Sequence, residues 1–202
     1  MLYFHKHKLV FLAAPKSGST AIEHALASQA DIVFQNDPRL KHCTFQRYKW
    51  RVEKAILMFT DTPPETTALI RRLDDWLGSW FRFRQGAWLN GTPRSTRGMS
   101  FDEFVEGYLM DPQPAFAEVG RPGRFLTQPK TRATVDHLFR YDAMAAFTDW
   151  LSARLEQPVA LERHNVSPDW QITLASELRA QLEDKFADDY ALYENALTRA
   201  PA

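Results

Sequence analysis

The sequence predicts an α/β fold in which helices flank a mostly parallel central sheet, and three observations lead to this prediction. Short apolar runs alternate with longer segments whose apolar residues recur every three or four positions. Two of the short runs lead directly into a helical segment, as strand–helix units of a parallel sheet do. The chain has 202 residues, 45% of them hydrophobic, which fits a single domain over 1–202.

Each candidate strand is a short apolar run that ends at a turn or at the start of a helical pattern. The predicted strands cover 8–13, 31–34, 66–71 and 135–141. Pro15 and Gly18 follow the first of them, so the chain must turn there. In a parallel sheet the carboxyl ends of the strands lie at one edge, where ligands bind.

Helices are predicted where the apolar spacing is close to 3.6 residues. They cover 45–59, 73–83 and a segment in which Leu174, Leu178, Leu182, Phe186 and Tyr190 recur every four residues. Two capping boxes, Thr20 with Glu23 and Ser100 with Glu103, mark further helix starts. Residues 85–99 read as an exposed loop that could cover a ligand, and 111–134 as an irregular connection.

Composition limits the function classes. Twenty-five basic and twenty-five acidic residues balance, so no global field favours nucleic acid, and any anion site must be local. The one cysteine, Cys43, excludes an internal disulfide and is expected to be an unreactive thiol. With neither a signal-like segment nor an apolar run of about 18 residues, a cytoplasmic protein without a transmembrane segment is expected.

The turn after the first strand has the composition of a phosphate-binding loop. It reads Pro15-Lys16-Ser17-Gly18-Ser19-Thr20 and delivers the chain to a helix N-terminus, where backbone N–H groups and the helix dipole attract anions. Lys16 adds a cation, and Ser17, Ser19 and Thr20 add hydroxyl donors. The order differs from the Walker loop, which ends in Gly-Lys-Ser/Thr, so the fold is predicted to be P-loop-like without a Walker motif. An ordinary polar turn would also use these residue types.

These residues carry a resemblance to a known family. The run from Phe11 to Thr20 resembles the loop with which sulfotransferases dependent on 3′-phosphoadenosine-5′-phosphosulfate (PAPS) hold the 5′-phosphosulfate. The family's second signature is an arginine at a strand end and a serine eight positions later, which Arg71 and Ser79 match. Looser similarity to the carbohydrate-type or bacterial branch includes Asn165-Val166-Ser167 and Phe139-Arg140-Tyr141-Asp142.

The chain also departs from the family pattern. Leu73 and Trp76 stand where the family often has a proline and a second arginine, and Ala21 stands where some members have a tryptophan that packs on adenine. The 3′-phosphate would then be held by fewer cations or by other arginines of the region, namely Arg72, Arg94 or Arg97.

The resemblance implies an enzyme that moves a sulfuryl group from PAPS to a hydroxyl or amine of an unidentified carbohydrate, lipid headgroup or small alcohol, without a metal. Lys16 is expected to stabilise the leaving 5′-phosphate. His42, in a polar segment after the second predicted strand, is the candidate base because imidazole titrates near neutrality, although it could equally be a capping or packing residue. An ATP-dependent P-loop-like kinase and a non-catalytic nucleotide-binding module remain the alternatives.

Overall fold

The computed structural model describes residues 1–161 and 173–201. These residues divide into two compact units. The first comprises residues 1–71, 122–161 and 195–201, and the second comprises residues 72–121 and 173–194. The predicted single domain over 1–202 stays a prediction. The Asn165-Val166-Ser167 segment lies outside the described residues.

The first unit contains one five-stranded sheet. Its strands are β1 (Leu2–Phe4), β2 (Leu9–Phe11), β3 (Ile32–Val33), β4 (Glu65–Ile70) and β5 (His137–Arg140), in the order β3-β1-β2-β4-β5. Strand β1 is antiparallel to both of its neighbours, whereas β2, β4 and β5 are parallel. The α/β class is confirmed. The sheet is mixed, so the expectation of a mostly parallel sheet holds only for its β2-β4-β5 half.

Ten α-helices occur among the described residues. They are α1 (Ser19–Leu26), α2 (Pro38–Lys41), α3 (Phe45–Arg47), α4 (Glu53–Ile56), α5 (Leu73–Arg84), α6 (Phe101–Leu109), α7 (Pro122–Leu126), α8 (Met144–Arg154), α9 (Ser176–Lys185) and α10 (Ala187–Glu194). A π-helical turn, Tyr48–Val52, joins α3 to α4, so 45–56 is one continuous helical segment, which ends three residues before the end of the predicted helix over 45–59. Helices α5, α6, α9 and α10 belong to the second unit.

The core of the first unit lies between the sheet and two helices. Alternate residues of β2, Leu9 and Phe11, point to the same face and are fully buried. They pack with the apolar side of α1, including Ile22, and with Phe147 and Leu151 of α8. This burial sets α1 against the sheet, and with it the loop that precedes α1.

The second unit has its own apolar core, formed by α5, α6, α9 and α10. Trp76, Leu77, Phe104 and Leu182 are among its buried residues. The predicted capping box at the start of α6 is confirmed, since Ser100 and Glu103 bind each other's backbone N–H groups. In the part of the chain that is described, no helix is long and apolar enough to cross a bilayer.

Three elements differ from the sequence predictions. Strand β1 was not predicted, because its three residues before the charged run from His5 to Lys8 are too few to show a strand pattern; it forms a hairpin with β2 and also pairs with β3. The predicted helix through Tyr190 is two helices, since the chain breaks at Phe186. The stretch predicted to be irregular contains the short helix α7.

Candidate functional site

The turn after β2 begins where β2 leaves β4, and two of its residues have left-handed backbone conformations. The N–H of Leu12 donates to the carbonyl of Thr67 at 2.9 Å, so β2 stays in register with β4 until the turn begins. Lys16 has φ of +62° and Gly18 has φ of +75°, both in the left-handed region. A lysine in this region is strained, and strain of this kind is concentrated at ligand sites.

Gly18 is required by both conformation and space. It is the N-cap of α1, and a Cβ at this position would lie 3.2 Å from the side chains of both Met144 and Tyr141. No side chain caps the first turn of α1. The loop thus leads into an eight-residue helix whose first turn presents backbone N–H groups, as an anion site requires.

Arg71 and Tyr141 come to this loop from the two neighbouring parallel strands. Arg71 directly follows β4, and its Nη1 donates to the carbonyl oxygen of Lys16 at 3.2 Å. The guanidinium also lies over the ring of Tyr141, 4.5 Å from its centroid, and Tyr141 directly follows β5. The carboxyl ends of β2, β4 and β5 therefore contribute to one cluster, as the strand-end rule predicts.

His42 is attached to the same edge of the sheet. Its Nδ1 lies 2.7 Å from the carbonyl oxygen of Ala13, just before the loop. Because a carbonyl only accepts, Nδ1 carries the hydrogen, and in the neutral ring Nε2 is the basic atom. Burial lowers the pKa of His42 below its usual value, although the bond to Ala13 acts in the opposite direction. The residue is therefore held neutral, with one basic nitrogen.

Lys41 connects the segment that carries His42 to helix α1. Its Nζ lies 2.6 Å from the carboxylate of Glu23, which is only 4% exposed, and donates to Thr20 Oγ1 at 3.2 Å. The Met1 amino group lies 3.3 Å from the same carboxylate. The predicted capping box of Thr20 and Glu23 is therefore wrong: Gly18 is the N-cap, and Glu23 forms ion pairs instead.

The other predicted site residues lie in the loop, at the start of α1 and in the second unit. The hydroxyl of Ser17 donates its hydrogen to the carbonyl of Ala14 at 2.8 Å, so in this conformation it closes the loop. Ser19 begins α1 and is buried. Ser79 is buried on α5 in the second unit, and its predicted pairing with Arg71 stays a prediction. Arg72 forms an ion pair with Glu183 at 2.9 Å within that unit.

Sequence reasoning did not assign a role to Tyr141 or Lys41. Tyr141 could have been found from the strand-end rule, since it closes the last predicted strand. Lys41 adjoins the chosen His42, but its partner Glu23 is 18 residues away and gives no local signal. Cys43 is buried, which raises the pKa of its thiol and agrees with an unreactive cysteine.

The cluster combines backbone N–H groups at the loop, of the kind that anion sites use, with one basic nitrogen on His42. Among the described residues, no group of three or more His, Cys, Asp and Glu side chains is arranged to hold a metal ion. Comparisons with models of protein families, with curated proteins and with solved structures gave no match.

Proposed function

We propose that this chain is a nucleotide-binding α/β protein of P-loop-like type, and more particularly a sulfotransferase that uses PAPS. The observation that carries the proposal is the contact of Arg71 with the carbonyl of Lys16. This contact places a guanidinium against the loop at the carboxyl edge of the parallel strands, where a bisphosphate nucleotide needs cations. The resemblance of Phe11 to Thr20 to the family's loop supports the choice of PAPS over other nucleotides.

In the proposed reaction the loop holds the 5′-phosphosulfate in line with the acceptor. The acceptor oxygen attacks sulfur and forms a new S–O bond while its proton moves to Nε2 of His42. The bond from sulfur to the bridging oxygen breaks, and the electron pair leaves with the 5′-phosphate of 3′-phosphoadenosine-5′-phosphate (PAP). Lys16 and the N–H groups of the first turn of α1 stabilise that charge.

The hydrogen bond of His42 supports its role as the base. A ring fixed by the Ala13 carbonyl has one defined basic nitrogen, and a lowered pKa keeps that nitrogen unprotonated at neutral pH. The acceptor is a hydroxyl or amine compound whose class the cluster does not specify. Arg71 is proposed to contact the nucleotide, and Ser79 is retained as the partner implied by the family signature.

The first experiment is calorimetric titration of the protein with PAP and, separately, with ATP and magnesium. Lys16→Ala and Arg71→Ala should each weaken PAP binding about 10- to 100-fold, the usual effect of losing a charged hydrogen bond. Lys6→Ala and Arg39→Ala are matched controls, since both side chains are highly exposed and pair with carboxylates at the surface, those of Glu156 and Asp37. Both controls should bind PAP like the parent protein.

The outcomes separate the alternatives. Preference for ATP with magnesium would favour a kinase, and absence of nucleotide binding by folded protein would refute the proposal. PAP binding without turnover on any acceptor would favour a non-catalytic module. If turnover occurs, His42→Gln should lower kcat strongly while PAP affinity changes little.

A further inference from the structure

The helical segment between α3 and the end of α4 has an exposed face that the proposed function does not use. Among the described residues, eight large apolar side chains are exposed, and five of them lie between 40 and 59. Trp50 is 55% exposed, Met58 79% and Phe59 78%, with Leu57 beside them. Single exposed apolar residues are ordinary on a protein surface, whereas a cluster of them indicates an interaction surface.

Cations share this face with the apolar residues. Arg47, Arg51 and Lys54 are exposed, and none of them forms an ion pair with any described residue. The stretch 45–59 contains four basic residues and one acidic residue, a net charge of +3, in a chain whose net charge is zero. Its acidic residue, Glu53, is buried and paired with Lys49. The face therefore has a positive field with no counter-charge of its own.

Within the helix, exposed and buried positions separate onto two sides. Positions 47, 50, 51 and 54 are exposed, whereas Phe45, Tyr48, Glu53 and Ile56 are buried in the first unit. Residues 57–59 are also exposed and directly follow the end of α4. The cations, from position 47 to position 54, extend about 10 Å along the helix axis. The apolar residues of the face are concentrated after the last turn, at 57–59, and its cations lie along the two preceding turns. We call the residues Arg47, Trp50, Arg51, Lys54, Leu57, Met58 and Phe59 the basic–aromatic face.

We propose that the basic–aromatic face docks on the surface of an anionic lipid bilayer. The apolar end at 57–59 enters the boundary between headgroups and acyl chains, and Trp50 lies at the headgroup level, which tryptophan favours. The three cations then meet lipid phosphates. An acidic protein would match the charge but would not require three consecutive exposed apolar residues at the helix end. The inference is independent of the proposed function, because no loop residue takes part.

The test is flotation of the full chain with vesicles of phosphatidylcholine alone and of phosphatidylcholine with about 30% phosphatidylglycerol at low salt. The protein should float with the anionic vesicles and much less with the neutral ones. Arg51→Gln/Lys54→Gln should lower the partition coefficient about 25-fold, at roughly fivefold for each cation. Met58→Ser/Phe59→Ser should lower it about 10- to 100-fold.

Trp88→Ser is the matched control, because Trp88 is 67% exposed but belongs to the second unit. It should float like the parent protein, and circular dichroism should show every variant folded. A blue shift of tryptophan emission on vesicle binding should shrink in Trp50→Phe and persist in Trp88→Phe.

Failure of the folded parent protein to float with anionic vesicles would overturn the proposal, as would equal flotation of parent and face variants. Sedimentation equilibrium provides a further check. A parent dimer that Met58→Ser/Phe59→Ser converts to a monomer, with no vesicle binding, would instead assign the face to contact between two copies of the chain.

Discussion

Removing the charge of Glu23 is expected to destabilise the segment that carries the candidate base. Glu23→Gln keeps the shape of the side chain but removes the carboxylate that lies 2.6 Å from Lys41 Nζ. The Glu23 side chain is only 4% exposed. Breaking a buried ion pair from one side costs about 3–5 kcal/mol. Because Lys41 is 19% exposed and its ammonium can reach water, the expected loss is about 3 kcal/mol.

Urea unfolding measures this loss, to which the Met1 amino group beside the same carboxylate also contributes. A double-mutant cycle with Lys41→Met isolates the part that belongs to the pair of Lys41 and Glu23. The double variant should be more stable than the sum of the single losses predicts, by at least about 1 kcal/mol. Lys6→Met, which removes a lysine that pairs at the surface with Glu156, should change stability by less than about 1 kcal/mol. An additive cycle, or a Glu23→Gln variant as stable as the parent, would refute the reasoning.

Two further predictions concern the loop and the histidine. Gly18→Ala should lower the free energy of unfolding by about 1–2 kcal/mol because of its left-handed φ, and by more because a Cβ would crowd Tyr141 and Met144. The control is Gly98→Ala, which has a φ of +82° and no atom within 4 Å of the added Cβ. It should lose only the backbone part, as thermal or urea unfolding will measure. Because the folded state lowers the pKa of His42, the unfolded chain binds its proton first as the pH falls. The stability that His42 contributes is therefore complete above its unfolded pKa of about 6.5 and is lost as the pH falls below it. The drop in unfolding free energy from pH 8 to pH 5.5 should be smaller in His42→Gln than in His24→Gln, a control at an exposed position. An equal drop in both variants would contradict the lowered pKa of His42.

Local patterns predicted the elements that build the candidate site. The apolar run at 8–13, the turn at Pro15 and Gly18, and the apolar run ending at Arg71 are local signals, so the strands and the loop between β2 and α1 could be read directly. The strand-end rule predicted that Arg71 and the loop lie at the same edge of the sheet, but not the hydrogen bond between Arg71 and Lys16.

Features that depend on distant partners could not be predicted. Strand β1 was missed for a different reason: it pairs with the adjacent β2 as well as with β3, but its three residues are too few to show a strand pattern. Glu23 fits a capping box with Thr20, but its ion pair with Lys41 outweighs that pattern, and no local signal reveals a partner 18 residues away. Because β1 was not predicted, its antiparallel pairing with both neighbours was not predicted either, and this pairing makes the sheet mixed.

The pairing of β4 with β5 bears on how the chain folds during synthesis. Thr67 pairs with His137, 70 residues later, and the outer edge of β5 is covered when Leu197 exchanges backbone hydrogen bonds with Leu138 and Arg140 at 2.7 and 2.9 Å. While the ribosome makes the intervening residues, the edge of β4 stays open, and unpaired edges promote aggregation. The edge of β4 is thus covered only after β5 has emerged from the ribosome, and the nascent chain is expected to need chaperone protection until then.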